Sequence, residues 1–231
     1  MGIRLLKYVG CLFLIKNKGN VMAEIKRIKC GNGNCFIVKD GESAILVDTA
    51  RTAFRDMILE ECRKEKVSLI FLTHGHVDHV QNTAYLAEQL KVPVGMHRDD
   101  YELTKNNMIE PLYAKKPLGR LILRLSEQAF ERDVIEPFEP DIFFKEGGTL
   151  EQFGINAGVI ELPGHTKGSI GLLAGEDFIV GDALMNMLYP TASMLYGNEE
   201  NMRKSAEKIT SSGAKTIYFG HGKPALNRKW K

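Results

Sequence analysis

The sequence predicts an α+β fold in which helices pack on the outside of a sheet. Three observations predict it. Short apolar runs alternate with segments of helical period through the first half, the pattern of helices laid against strands. The second half is a series of strand-like runs punctuated by glycine, followed by one more helical stretch. With 231 residues, 44% of them hydrophobic, and charges of both signs, the chain has enough apolar material for one good-sized core and lacks the composition of a disordered segment.

Residues 1–24 read as an N-terminal extension or an edge hairpin, because Met22 restarts the chain just before a clear strand pattern. Residues 25–231 read as a single domain. Strands are expected over 25–28 and 35–38, around the polar turn Gly31-Asn32-Gly33-Asn34, and again over 43–47. That third strand ends at Asp48-Thr49, which can cap a helix over 53–66. The continuous apolar run 67–72 reads as a buried strand, 78–90 as a helix, and 92–96 as a strand. Residues 98–140 differ in character, with a helical stretch over 117–132 and the breakers Pro137 and Pro140 beyond it, and read as a helical insertion over one side of the core. Strands follow over 149–153, 157–162, 169–173 and 177–180, then a helix over 198–212 and a last strand over 216–219.

Net charge is +2, and the basic excess is local to residues 1–29, leaving the rest mildly acidic. No basic stripe marks a nucleic-acid surface, so a nucleic-acid partner is disfavoured. No apolar run approaches the length of a membrane span. The four cysteines contain no CxxC pair, and a chain of this length needs no disulfide scaffold. A reducing, cytoplasmic setting is expected, with Cys62 as a buried thiol in a helix.

The strongest chemical signal is His74-x-His76-x-Asp78-His79. His74 and His76 stand two apart at the end of an apolar strand, so extended geometry puts both imidazoles on one face, where they can meet one ion. Asp78 and His79 sit where the chain turns into a helix and can address a second position. His165, Asp182 and His221 each follow a glycine, a short polar step beyond an apolar run. Any one of them alone reads as a surface or capping residue. Together with the histidine cluster, they read as ligands carried to a common place by several strand ends. Charge and geometry suggest a division. His74, His76 and His165 form a neutral three-imidazole site with one position left for water, as catalytic zinc requires. Asp78, His79 and His221 form a second site, and Asp182 has two oxygens with which to bridge. Two carboxylates offset only part of the charge of two divalent ions; the remainder lowers a water's pKa and stabilises an oxyanion. The expected cofactor is a pair of divalent ions, zinc first, with iron or manganese as alternatives. His97 is left over and reads as a strand-end polar residue or a support beneath the site.

These residues carry a resemblance. Thr73-His74-Gly75-His76-Val77-Asp78-His79, Gly164-His165-Thr166-Lys167-Gly168-Ser169, Gly181-Asp182-Ala183 and Gly220-His221-Gly222 are similar to the metal motifs of the metallo-β-lactamase-fold hydrolases. The match runs from about residue 25 to residue 225. With histidine and aspartate ligands throughout, the chain resembles the glyoxalase II-like and lactonase-like branch. The resemblance implies an αββα sandwich with the site at one edge of its two sheets, and the same assignment of ligands. It also implies that Asp48 lies near the site and orients a ligand histidine.

The expected function is hydrolysis of a small-molecule ester, thioester or lactone by a hydroxide held between two ions, with Asp78 or Asp182 orienting it. Phosphodiester or nucleic-acid hydrolysis is the first alternative, since two ions suit in-line displacement as well. A mononuclear iron sulfur dioxygenase, known in the resembled superfamily, is the second. Tyr101, Met108, Leu112 and Tyr113 in the insertion, with Met185, Met187, Tyr189 and Tyr196 after Asp182, are candidates for the substrate pocket. Core packing or a homodimer contact is the plainer role for the same side chains.

Overall fold

The computed structural model describes residues 23–230, preceded only by the strand pair Leu6–Lys7 and Leu12–Phe13, which pair antiparallel with each other. The rest of the expected extension lies outside the described residues.

The first sheet has six strands arranged in chain order. β1 (Glu24–Cys30), β2 (Gly33–Asp40) and β3 (Ser43–Val47) form an antiparallel meander. β4 (Ile70–Phe71), β5 (Val94–His97) and β6 (Ile142–Phe144) then add in parallel. The second sheet contains β7 (Gly158–Glu161), β8 (Ile170–Ala174) and β9 (Asp177–Ile179). Beyond a short pair, β10 (Leu184–Met185) and β11 (Thr191–Ala192), it is completed by β12 (Thr216–Tyr218) and β13 (Ala225–Leu226), in the order β13-β12-β9-β8-β7. α1 (Arg55–Glu65), the single turn α2 (Val77–Val80) and α3 (Thr83–Leu90) follow strands of the first sheet. α4 (Tyr101–Lys105) and α5 (Pro117–Arg132) lie within 98–140, and α6 (Glu199–Thr210) packs on the second sheet.

The period of two within the strands separates three cores. Along β2, Cys35 and Ile37 face the outer core under α1 and α3, while Phe36 and Val38 face the space between the sheets. β3 repeats this with Ala44 and Leu46 against Ile45 and Val47. From the other side, Val159, Ile170, Leu172 and Ile179 enter the same inter-sheet core, and Phe178, Ile217 and Phe219 face α6 with Met202 and Ile209. Central strands covered on both faces read as continuous apolar runs, as these do, whereas edge strand β1 alternates. The result is the expected αββα sandwich. None of the described helices is long and apolar enough to cross a membrane.

The structure corrects three local expectations. Residues 149–153 do not form a strand. Glu151–Phe153 is one 3₁₀ turn closed by Gly154 at φ 73°, and Leu150 packs into the inter-sheet core from it. The strand of that region lies earlier, at β6. Asp48 and Thr49 do not cap α1, whose N-terminal residue Phe54 makes no side-chain cap bond. Asp48 instead takes a left-handed conformation (φ 60°), which turns its carboxylate inward, and the Thr49 hydroxyl donates to the His79 carbonyl at 3.0 Å. The expected helix over 78–90 breaks at Asn82, whose amide donates to the carbonyls of Thr49, Ala50 and Arg51 and ties the loop after β3 to the helix junction.

Phe71 is fully buried between the sheets with its ring 5.3 Å from that of Phe144. Phe71→Ala is expected to lower stability by about 3–5 kcal/mol, measured by denaturant unfolding of the two proteins.

Candidate metal centre

The site forms where strands of both sheets end. β4 runs out through Leu72 and Thr73 into His74-Gly75-His76, and α2 begins at once, so extended and helical geometry meet within six residues. His165 stands at the end of β7, Asp182 at the end of β9 and His221 at the end of β12. Gly220 precedes His221 because a Cβ there would lie 2.2 Å from Asp182 Oδ1 and 2.7 Å from His79 Cε1. Gly164, at φ 138°, lets the chain before His165 press against the backbone of Met202, 2.2 Å from where a Cβ would stand.

The seven side chains named from the sequence come together. His74, His76 and His165 offer ligand atoms that lie within 4.8 Å of one another, as do Asp78, His79 and His221, and Asp182 groups with His74 and His79. Between the two triads, Asp182 Oδ2 is 3.7 Å from His165 Nε2 and 3.3 Å from His221 Nε2, while its Oδ1 is 3.5 Å from His79 Nε2. His221 Nε2 is 3.4 Å from Asp78 Oδ2.

The far side of each ring explains its orientation. The Nδ1–H groups of His165 and His221 donate to the carbonyls of Leu195 (2.9 Å) and Asn32 (3.0 Å), which turns each Nε2 inward. Asp48 is wholly buried and sets two further rings. Its Oδ2 accepts from His79 Nδ1 at 2.8 Å, and both oxygens accept from Thr73, through the amide and the hydroxyl. Because that hydroxyl gives its proton to Asp48, its oxygen is free to accept from His74 Nδ1 at 3.1 Å. The hairpin turn expected over Gly31–Asn34 also serves here. The Asn34 amide donates to the carbonyls of Phe219 and Gly222, both at 2.8 Å, and so clamps the loop that carries His221.

Cations fit this donor set. The buried atoms His74 Nε2, His76 Nε2 and Asp182 Oδ1 have no hydrogen-bond partner, and His76 Nδ1 faces His165 Nε2 at only 3.0 Å. Burial, followed by neighbouring imidazoles, holds His74 and His76 well below the usual histidine range, so both are neutral and able to ligate; burial lowers His165 as well. On the other side burial opposes charging, but Asp182, Asp48 and Asp78 overcome it and push His79 up to about 9. His221 is likewise raised well above its ordinary value by Asp182 and Asp78 against the effect of burial. Asp78 and Asp182 are held well below the usual carboxylate range despite their burial, Asp78 chiefly by a hydrogen bond from His221 and Asp182 by the charges of His221 and His79. One half therefore favours neutral imidazoles and the other concentrates negative charge, the distribution that two cations require.

The cleft above the centre has a volume of about 220 Å³. Its apolar wall includes Leu112, Ile122, Leu125, Phe130, Met185 and Leu195. Of the substrate-pocket candidates, Leu112, Met185 and Met187 line it. Tyr101 packs edge-on to Phe143 beside the outer core, with Lys105 over its ring. Met108 and Tyr189 are exposed elsewhere, and Tyr113 bridges to Tyr196 through backbone hydrogen bonds while the Tyr196 side chain joins the core under α6. The insertion also contributes its long helix. Ile122, Leu125, Ser126 and Phe130 are spaced to share one face of α5, and Phe130 stacks on His76 at 4.7 Å. That spacing was the available sequence signal. His97 lies outside the cleft, accepting from the Asp99 amide and standing 3.3 Å from Glu161.

Asp100 had no such signal. It is fully buried and accepts from Gly75 N at 2.9 Å, from the Thr166 hydroxyl at 2.7 Å and from Gly168 N at 2.5 Å. It therefore joins the His74–His76 loop to the loop after His165. Burial pushes its pKa up to about 6, while the three donors oppose that rise.

Two outcomes follow. Asp48→Asn leaves His79 Nδ1 facing an amide and weakens metal retention about 10–100-fold, measured against a competing chelator. Asp100→Asn replaces an acceptor by a donor opposite Gly75, Thr166 or Gly168; it is expected to cost about 1.5–3 kcal/mol in stability, measured by unfolding in urea.

Known proteins resemble this chain over the same span. The family model described as the metallo-beta-lactamase superfamily matches residues 28–221. An uncharacterized protein of Mycobacterium tuberculosis is 30% identical over 203 residues, covering 82% of this chain and 85% of that protein. The hydroxyacylglutathione hydrolase GloC of Haemophilus influenzae is 30% identical over 168 residues, covering 70% and 71%. Among solved structures, a metallo-beta-lactamase family protein from Thermus thermophilus superposes with a TM-score of 0.66 at 20% identity, covering 89% of this chain and 75% of that one. Another chain, solved in a di-iron-bound form, superposes with a TM-score of 0.65 at 22% identity, covering 90% and 98%. From its fold, its convergent histidines and aspartates and the family match over most of its length, this chain belongs to the metallo-beta-lactamase superfamily.

Proposed function

We infer that this protein is a di-metal hydrolase of small-molecule esters, thioesters or lactones, with a zinc pair as its resident cofactor and a cytoplasmic setting. The observation that carries the reading is the asymmetry of the centre. Three neutral imidazoles face two carboxylates and two further histidines, beneath a cleft whose wall is largely apolar. Hydroxyacylglutathione hydrolases among the relatives support an acyl substrate.

Bound divalent ions would supply a lowered water pKa and positive charge for the developing oxyanion. His74, His76 and His165 would hold one ion, Asp78, His79 and His221 the other, with Asp182 shared. The chain's own groups do the rest. Asp78 and Asp182, both kept ionised, orient the attacking water and accept its hydrogen bond. The apolar wall receives the acyl portion and excludes bulk water, which strengthens each charge interaction. Ser169 serves the turn rather than attack on substrate: its hydroxyl is 2.6 Å from that of Thr166, and both are buried.

The test is a turnover screen of metal-replete protein with a thioester, a lactone, a carboxyl ester and a phosphodiester, with metal content measured on the same sample. Acyl turnover with zinc is expected, and His76→Ala and Asp182→Ala each reduce it by at least about 100-fold. Phosphodiester cleavage in its place, or full acyl turnover by metal-depleted Asp182→Ala, would sink the reading.

A further inference from the structure

Among the described residues, Cys30, Cys35 and Cys62 are free thiols buried in the outer core. Two of them meet beside the metal cleft, with Cys30 Sγ 3.8 Å from Cys35 Sγ. The first hairpin explains the meeting. Ile28 stands opposite Cys35 and Cys30 opposite Gly33, so the cysteines share one face of the strands as diagonal neighbours. They differ in access. Cys35 is wholly buried, whereas Cys30 keeps 4% exposure and lines the metal cleft with Asn32, Gly33, Asp78 and His221. Hydrogen bonding with Cys35 lowers the Cys30 thiol against the effect of burial, and burial pushes the Cys35 thiol well above its ordinary value. The sulfur that a solute can reach is therefore also the one more readily ionised.

Residues 31–34, between the two cysteines, form the turn that fastens the His221 loop. The Asn32 carbonyl accepts from His221 Nδ1, and Gly33 pairs with His221 through the backbone. Asn34 N donates to the Gly220 carbonyl at 2.9 Å, while its side-chain amide holds the carbonyls of Phe219 and Gly222. Diagonal neighbours on paired strands stand about 7–8 Å apart, at or beyond what a disulfide spans without backbone movement. A bond between Cys30 and Cys35 therefore requires the hairpin backbone to shift, and the turn shifts with it.

We propose that Cys30 and Cys35 are a modification site for hydrogen peroxide, oxidised to a disulfide that draws the 31–34 turn off the His221 loop and loosens the ion held by Asp78, His79 and His221. The disulfide itself is independent of the hydrolase reading; its effect on the ion rests on the di-metal centre of that reading. Peroxide reaches Cys30 through the cleft. The Cys30 sulfur takes one peroxide oxygen: the O–O bond breaks, an S–O bond forms, and the other oxygen leaves as water with the thiol proton. The Cys35 sulfur then attacks Cys30 Sγ. The S–S bond forms as the S–O bond breaks, and hydroxide departs with the Cys35 proton as a second water. The two thiols lose two electrons and the peroxide gains them. In a reducing setting such a pair is reopened by thiols, so the bond is transient and responds to oxidant.

The test treats metal-replete protein with hydrogen peroxide, removes the excess with catalase, alkylates free thiols in denaturant and digests with trypsin. Cys30 and Cys35 share the peptide 30–39, between the cuts at Lys29 and Lys39, and Cys11 and Cys62 lie on others. Peptide 30–39 is expected unalkylated and two hydrogens lighter than its reduced form, with Cys62 alkylated and dithiothreitol restoring both thiols. Retention of one ion of the pair, measured against a competing chelator, is expected to weaken about 10–100-fold on oxidation and to recover on reduction. Two variants separate the roles of the sulfurs. Cys30→Ala keeps the retention of its own untreated sample, and Cys35→Ala stops at a Cys30 sulfenic acid that dimedone traps. If a variant fails to fold, the wild-type peptide map and ion retention decide. Alkylation of both thiols in treated wild type, or a Cys35–Cys62 bond, overturns the proposal. So does a Cys30–Cys35 disulfide that leaves ion retention unchanged, or loss of retention in treated Cys30→Ala. Protein that holds no ion pair before oxidation defeats the di-metal reading, and the peptide map then decides the disulfide site alone.

Discussion

The centre depends on one buried carboxylate. Asp48 sits at the end of β3 with no exposure, and it accepts from the Thr73 amide, the Thr73 hydroxyl and His79 Nδ1. A buried charge without such partners would cost several kcal/mol, of the order found when a buried ion loses its partner. The three donors come from the end of β4 and from α2, so stabilising Asp48 also locks the strand-to-helix junction that carries four of the metal-facing residues. Through Thr73 the same charge reaches His74. Metal-facing lone pairs on two rings are thereby set by one group that faces away from the cleft.

Asp100 performs the complementary task between the sheets. It bonds the amide between His74 and His76 and, at the same time, the turn after His165. The three-histidine half is assembled from strands of different sheets, and this carboxylate is the short polar tie between them. Asn34 plays an equivalent part for His221, fastening the loop after β12 to the first hairpin. Each loop that delivers a histidine is thus held by a buried polar side chain from another element. Loops so fastened lose little entropy when cations bind, since their donors already face inward.

The mouth of the cleft is a different kind of surface. α5 lies over the mouth with Ile122, Leu125 and Phe130 in the cleft wall, while Leu121 and Leu125 remain strongly exposed. The floor of the cleft is polar. The cleft therefore has an apolar wall over a charged floor, a property that the ligand motifs alone do not convey.

The sequence by itself determined the layers and the donor set. Continuous apolar runs specify which strands are covered on both faces, and His74, His76, Asp78 and His79 are close enough in sequence for strand and turn geometry to bring them together. His165, Asp182 and His221 were legible because each follows an apolar strand and a glycine. Tertiary structure decided what depends on packing between distant segments. Asp100 meets partners 25 and 66 residues away, and nothing local separates it from its neighbour Asp99. Tyr101, Tyr113 and Tyr196 were plausible pocket residues by composition, but the direction of each short element turned them into core or surface, while α5 put Phe130 on His76. Local periodicity records which face of an element is apolar; only the docking of that element determines what the face meets.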